Sequence, residues 1–238
     1  MNYAPGEFCW TELATGDWKA SLRFYGALFG WTANEILPHV VLRKNGQSVA
    51  GLYENRDVHP GWLPYIAVAS ADDAARKAKS LGAKVDSGPL DFEDAGRIAY
   101  ITDPQSARFA IWEAHRHNGA QIINEIDAMS WNELYTEDIA ASREFYAAMF
   151  GWKYKISPEY TEIRGGAGGM FPISAEMRGT HPMWIPYFRV GDADVTASKA
   201  KSAGGAIYVG PQDVPNVGRF AIVADPQGGV FAAIRLQG

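Results

Sequence analysis

Short stretches of the chain alternate apolar and polar residues with a period of two, and stretches of helical period lie between them. Residues 8 to 13, FCWTEL, are the first of these. Strand side chains alternate between faces, so Trp10 and Glu12 share one face while Cys9, Thr11 and Leu13 share the other. The following residues predict a helix with Asp17 as N-cap, Leu22, Tyr25, Leu28 and Phe29 on its apolar side, and Gly30 as its stop. β-like segments broken by Gly and Asn come next, as in HVVLRKNGQSVAGLY. From Tyr65 the order restarts. Strand YIAVA leads into helix DDAARKAKSLG, where Ser70 and Asp73 have capping-box spacing, and further strands end at RFAIWEA.

The second half repeats this order. Between Trp10 and Trp31, 13 of 22 residues match those 121 positions further on. The offset then becomes 122, pairing HPGWLPY with HPMWIPY, GPLDFEDAGR with GPQDVPNVGR, and DPQSARFA with DPQGGVFA. Two copies of one domain follow from this, over residues 1–114 and 128–238, with the polar segment 115–127 as linker. Each copy divides into two βαβββ modules, four in all. Long-range strand pairing with helices on one sheet face makes the fold α+β.

Composition narrows the function classes. In a chain of 238 residues, 47% hydrophobic and 13% aromatic content supplies packed cores. The net charge of −5, without a run of Lys or Arg, gives no footprint for nucleic acid. No apolar run reaches the roughly 20 residues of a membrane helix, and MNYAPGEF does not read as a signal peptide. One cysteine makes no internal disulfide. The expectation is a soluble cytoplasmic protein, monomeric or homodimeric, with a small molecule as its partner.

The βαβββ order, with D…FY…LFGW at the first helix and DPQ…F before the last strand, resembles the vicinal oxygen chelate superfamily. That group includes glyoxalase I, extradiol dioxygenases and the bleomycin-resistance proteins. The resemblance covers nearly the whole chain and implies two tandem half-open barrels, each around a ligand cavity. It also implies three metal-ligand positions per barrel, on the first, fifth and eighth strands. These fall on Trp10, at or beside Leu63, and on Ala110 in the first copy, and on Trp131, Ile185 and Ala232 in the second. None is a metal ligand, so neither a metal nor another cofactor is expected.

Glu12 and Glu133 are the candidate catalytic residues, and two readings of them stay open. Each is a buried carboxylate paired with an arginine, Arg97 or Arg219, holding its barrel together. Alternatively, one of them binds a ligand group or acts as a general base. Trp10, Tyr65 and Trp112 in the first copy, and Trp131 and Tyr187 in the second, either line a cavity for a flat organic ligand or fill the core. His59 and His181 read as turn residues, His115 and His117 as part of a solvated linker, Cys9 as an inert buried thiol, and RGGAGGM as a hairpin. The combined reading is a protein binding a small hydrophobic or aromatic molecule in a barrel cavity. The alternative is a glyoxalase- or dioxygenase-type enzyme with an unconventional site around Glu12 or Glu133.

Overall fold

A computed structural model describes residues 1–36, 39–55, 60–174, 177 and 179–237. The first module is β1 (Phe8–Thr15), α1 (Trp18–Phe29), β2 (Thr32–Ile36), β3 (His39–Lys44) and β4 (Gln47–Glu54). The second is β5 (Gly61–Ala67), α2 (Ala71–Ser80), β6 (Lys84–Phe92), β7 (Gly96–Thr102) and β8 (Arg108–Ala114). β9 (Ala128–Thr136), α3 (Ile139–Phe150), β10 (Tyr154–Ile156), β11 (Thr161–Ile163) and β12 (Gly168–Pro172) make the third. β13 (Met183–Arg189), α4 (Ala193–Ser202), β14 (Ala206–Val214), β15 (Gly218–Ala224) and β16 (Val230–Leu236) make the fourth. The expected βαβββ order thus occurs four times.

The strands form two eight-stranded sheets of the same topology, β2-β3-β4-β1-β5-β8-β7-β6 and β10-β11-β12-β9-β13-β16-β15-β14. In every module the first strand pairs in parallel with the last, as β1 does with β4 and β5 with β8, and the rest of the module is an antiparallel meander. A parallel pair needs a crossover, which the helix supplies.

Caps set the helix limits. The Asp17 side chain accepts the Ala20 amide, and Gly30, at φ 68°, ends α1 by donating its amide to the Gly26 carbonyl. The left-handed conformation of Gly30 costs an L side chain and suits glycine. Asp138 accepts from Ala140 and Ala141, while Gly151 closes α3 in the same way. Trp18, Ser21, Phe24, Tyr25, Leu28 and Phe29 form the buried stripe of α1, and Leu22 lies half-buried at its edge. Ser70 caps α2 by accepting the Asp73 amide. Around RGGAGGM, β11 and β12 pair antiparallel, Thr161 opposite Met170, so that segment is a hairpin.

Residues pack into two compact units, Met1–Cys9 with Pro64–Gly119 and Asn132–Trp184, and Trp10–Leu63 with Ala120–Trp131 and Ile185–Gly238. The first joins the second module to the third, and the other joins the first module to the fourth. Each has an aromatic core around a buried tyrosine. In one, the Tyr25 hydroxyl donates to Asp225 at 2.9 Å and accepts the Trp62 indole N–H at 3.0 Å, with Phe29, Trp31 and Phe231 around the ring. In the other, Tyr146 donates to Asp103 at 2.8 Å and accepts from Trp184 at 2.9 Å, against Phe109, Phe150 and Trp152. The exchange is reciprocal: the tyrosine of each copy meets the DPQ aspartate of the other. Burial, with the aspartate charge beside it, pushes both phenols well above the usual tyrosine range. Burial also raises the Asp103 carboxyl, against the lowering effect of the Tyr146 hydroxyl and the Ala107 and Gln105 amides.

Residues 115–127 hold no helix or strand, yet they are not simply solvated. Ala120 and Ile122 are buried, and the Gln121 side chain accepts the Ser48 amide at 2.9 Å. Among the described residues, no helix is long and apolar enough to cross a membrane.

Candidate functional site

Which face each β1 side chain takes follows from one contact. Thr15 Oγ1 lies 2.8 Å from Ser21 Oγ on α1, so Thr15, and with it Leu13, Thr11 and Cys9, faces the helix. Trp10 and Glu12 therefore occupy the opposite face, as alternation predicts. In the other sheet Thr136 bonds Ser142 of α3, which puts Trp131, Glu133 and Tyr135 on the face away from that helix.

On the face opposite α1, Glu12 stands directly across from Gly51 of β4. A Cβ at Gly51 would come within 2.8 Å of Glu12 Oε1 and 3.0 Å of Trp10 Nε1, so both side chains lie over the glycine. His39, the first residue of β3, pairs with Tyr53 across the hairpin, and the two rings stack with centroids 4.6 Å apart at 27°. His39 Nδ1 is 2.8 Å from Glu12 Oε1, and the pair is mostly enclosed, at 17% and 8% side-chain exposure. Four residues on three adjacent strands thus form one constellation: Trp10, Glu12, His39 and Tyr53. A carboxylate only accepts hydrogen bonds, so an ionised Glu12 holds the proton of His39 on Nδ1.

The second copy keeps the carboxylate and changes its neighbour. Glu133 stands across from Gly169. Continuing the β11–β12 register by one residue, to Tyr160 opposite Phe171, puts Tyr160 where His39 stands in the first copy, and the Tyr160 phenol covers Gly169. Tyr135 and Phe171 pack beside it, 5.6 Å apart.

Both arginine bridges are corrected. Arg97 pairs with Asp72, at the start of α2, and with Asp91, each at 2.8 Å. Arg219 pairs with Asp194 at 2.6 Å and with Asp213 at 3.2 Å. An arginine at either position belongs to the helix-facing side of its strand, in phase with Ala99 and Ile101 in the first copy, and the first turn of the helix supplies its anion. These pairs hold the Asp72 and Asp194 carboxyls below the usual aspartate range, chiefly through the arginine hydrogen bonds.

Tyr65, Tyr100 and Trp112 cluster on neighbouring strands of the second module, with Tyr65 6.5 Å from Tyr100 and 6.2 Å from Trp112. Gly96 gives the Trp112 ring room to lie across it, and the indole N–H donates to the His117 carbonyl at 2.8 Å. Tyr187 packs on Phe220 at 6.0 Å, and Trp131 is half-buried. Cys9 is fully buried, its thiol pointing to the Tyr65 carbonyl, and burial pushes its pKa far up, as for an inert thiol. His115 and His181 are exposed, and His59 lies outside the described residues.

A family model described as the Glyoxalase/Bleomycin resistance protein/Dioxygenase superfamily matches residues 8–111 and 122–232. The chain belongs to that superfamily. Its similarity to curated proteins runs from end to end. It is 35% identical to "Putative glyoxylase CFP32" of Mycobacterium tuberculosis, over 98% of this chain and 96% of the relative. It is 30% identical to "Anthracycline biosynthesis protein DnrV" of Streptomyces peucetius, over 99% and 95%. Among solved structures, the Mn(II)-bound glyoxalase of Novosphingobium aromaticivorans aligns with TM-score 0.71 at 16% identity, covering 98% of this chain and 83% of that one. An extradiol ring-cleaving dioxygenase from B. fuscum aligns with TM-score 0.71 at 12%, covering 100% and 74%. At these identities the structural likeness concerns the fold.

The superfamily's divalent metal does not fit the positions where it would sit. Ala110 and Ala232 put buried methyl groups at the eighth-strand position, Ile185 is aliphatic, and the indoles of Trp10 and Trp131 only donate. Among the described residues, no three His, Cys, Asp or Glu side chains gather as a metal would require. Among the described residues, Glu12 and His39 make a set of two. Sequence reasoning found Glu12 and missed His39, because the partner depends on the β3–β4 register. Gly51 was the available signal, a missing side chain opposite a carboxylate in an otherwise apolar strand.

Proposed function

We propose that the protein binds a small planar aromatic molecule on the face of the first module that carries Trp10, Glu12, His39 and Tyr53. The observation behind this reading is the constellation itself. A hydrogen-bonded Glu–His pair sits between an indole and a phenol on the sheet face away from the helix, so flat apolar surface adjoins one polar anchor. A relative named for anthracycline biosynthesis agrees with an aromatic ligand. Saturable quenching of tryptophan fluorescence by 4-nitroanisole, equal before and after chelator treatment, is the expected result. Trp10→Ala should weaken that binding by about tenfold, the size of one aromatic contact. Binding that disappears with chelator and returns with a divalent metal sinks the reading.

The second reading, an enzyme of glyoxalase or dioxygenase type around Glu12, draws on the relative named as a glyoxylase and on one observation. The glutamate recurs in both copies, and among the described residues a histidine pairs with Glu12. That pairing favours Glu12 over Glu133 as the chemical centre.

A further inference from the structure

We propose that the protein self-associates through β14, two chains joining these edge strands antiparallel about a two-fold axis. β6 and β14 are corresponding strands, and each is the last strand of its sheet. The outer N–H and C=O groups of such a strand are a template for another strand unless the edge is blunted. β6 is blunted by charge. Lys84, Thr102 and Arg108 stand in one row across β6, β7 and β8. Asp86 ties that row together: Lys84 Nζ lies 2.8 Å and Arg108 Nε 3.9 Å from its carboxylate, and the Thr102 hydroxyl donates to it. The residues 122 positions on are Ala206, Ala224 and Val230, again in one row, with Tyr208 in place of the aspartate. The polar network of one edge is thus an apolar surface on the other. Tyr208, like Asp86, is the residue that the strand ladder skips, and a bulge of this kind re-aims its side chain. Tyr208 is 62% and Ile207 37% exposed.

Charge decides what covers this edge. Residues 205–211, GAIYVGP, carry none, and Pro211, with no N–H to offer, closes the segment. Antiparallel pairing of the segment with itself, centred on Tyr208, sets Tyr208 against Tyr208, Ile207 against Val209 and Ala206 against Gly210. An aromatic cross-strand pair forms, and no charge is buried. The same pairing on β6 would set Asp86 against Asp86, which like-charge repulsion opposes. Each chain has a net charge of −5, so two chains approach most readily where that charge is missing. An acidic or basic partner would find no counter-charge on residues 205–211, whereas another molecule of this chain needs none. Pairing about a two-fold axis uses the same surface on both chains and closes at two.

Sedimentation equilibrium of the full chain tests the inference. The wild-type mass should rise with concentration from one chain to two and no further. Tyr208→Asp, which gives β14 the aspartate of β6, should raise the dissociation constant about tenfold, the combined weight of a lost aromatic pair and a like-charge contact. Ile156→Asp alters an equally exposed apolar residue on β10, the other end of the same sheet, and should leave the mass curve unchanged. A second measurement does not depend on affinity. Tyr208→Cys should link two chains through a disulfide on oxidation with copper–phenanthroline, because directly opposed Cα atoms lie about 4.5–5.5 Å apart, within disulfide reach. Ile156→Cys should stay unlinked, and Cys9, fully buried, takes no part. A wild-type chain that stays monomeric, a dimer that Tyr208→Asp leaves intact, or Tyr208→Cys chains that stay unlinked overturns the inference. In the first case the edge is left to an extended segment of a different protein.

Discussion

At Gly51 the absence of a side chain is what lets Glu12 and Trp10 lie where they do. A methyl group there would meet Glu12 Oε1 at 2.8 Å and Trp10 Nε1 at 3.0 Å. The carboxylate end of a glutamate normally swings aside, but here it is tied to His39. Gly51→Ala should therefore cost about 1–3 kcal/mol of stability in urea unfolding, as overpacking does, and displace the pair from the ligand face, lowering 4-nitroanisole affinity. Gly210→Ala, with nothing within 4 Å of the added carbon, is the matched control and should stay within about 0.5 kcal/mol. Equal effects at both sites would show that the Glu12 neighbourhood yields freely. The phase of β1 was readable from alternation, because Leu13 and Glu12 cannot both face the helix. His39 was not readable, because the β3–β4 ladder contains a register shift at Leu42/Arg43 that no local pattern announces.

The charged triads that join helix to strands show how a sound local reading pairs the wrong partners. Asp72, Asp91 and Arg97 recur 122 residues later as Asp194, Asp213 and Arg219. In both copies the arginine joins the first turn of the helix to the adjoining β-hairpin. Negative charge at a helix N-terminus is itself favourable, which explains why the aspartates sit there. Because the folded pKa of Asp72 and Asp194 lies below the unfolded value, their contribution is present above the ordinary aspartate value of about 3.9. It is lost as pH falls through the depressed values. The double variant Arg97→Leu/Arg219→Leu should lose this part of the acid limb, seen as a shallower fall of urea stability below about pH 4. An unchanged acid limb would mean that solvent screens these exposed pairs completely.

Tandem duplication gives the chain its most far-reaching feature, the reciprocal tyrosine–aspartate exchange. Tyr25 of the first copy meets Asp225 of the second, and Tyr146 of the second meets Asp103 of the first. Each phenol both donates and accepts, so Tyr→Phe leaves a buried carboxylate and an indole N–H each short of a partner. Tyr25→Phe and Tyr146→Phe should each cost about 1–3 kcal/mol. The two clusters share no residue, so the double variant should show the sum to within about 0.5 kcal/mol. A clear departure in denaturant titrations would reveal coupling between the clusters. Both motifs that carry this exchange, FY in the helix and DPQ before the last strand, were visible in the chain as repeated signatures. Their pairing was not.

Fold class, the fourfold βαβββ order, the helix caps and the shared face of Trp10 and Glu12 were legible in the sequence. Each depends on interactions within a few residues: the two-residue strand period, a side chain reaching its own helix amide, or a glycine at positive φ. Membership of the superfamily was legible too, since the repeated motifs that carry the resemblance need only residue identities. Partner choice belonged to the tertiary structure. Glu12 meets His39 across two strand pairings, Arg97 meets Asp72 across a helix–sheet contact, and Tyr25 meets Asp225 across two hundred residues. A charged or hydroxyl-bearing side chain bonds whatever chain folding brings within reach, and that proximity is set by the sum of all the packing.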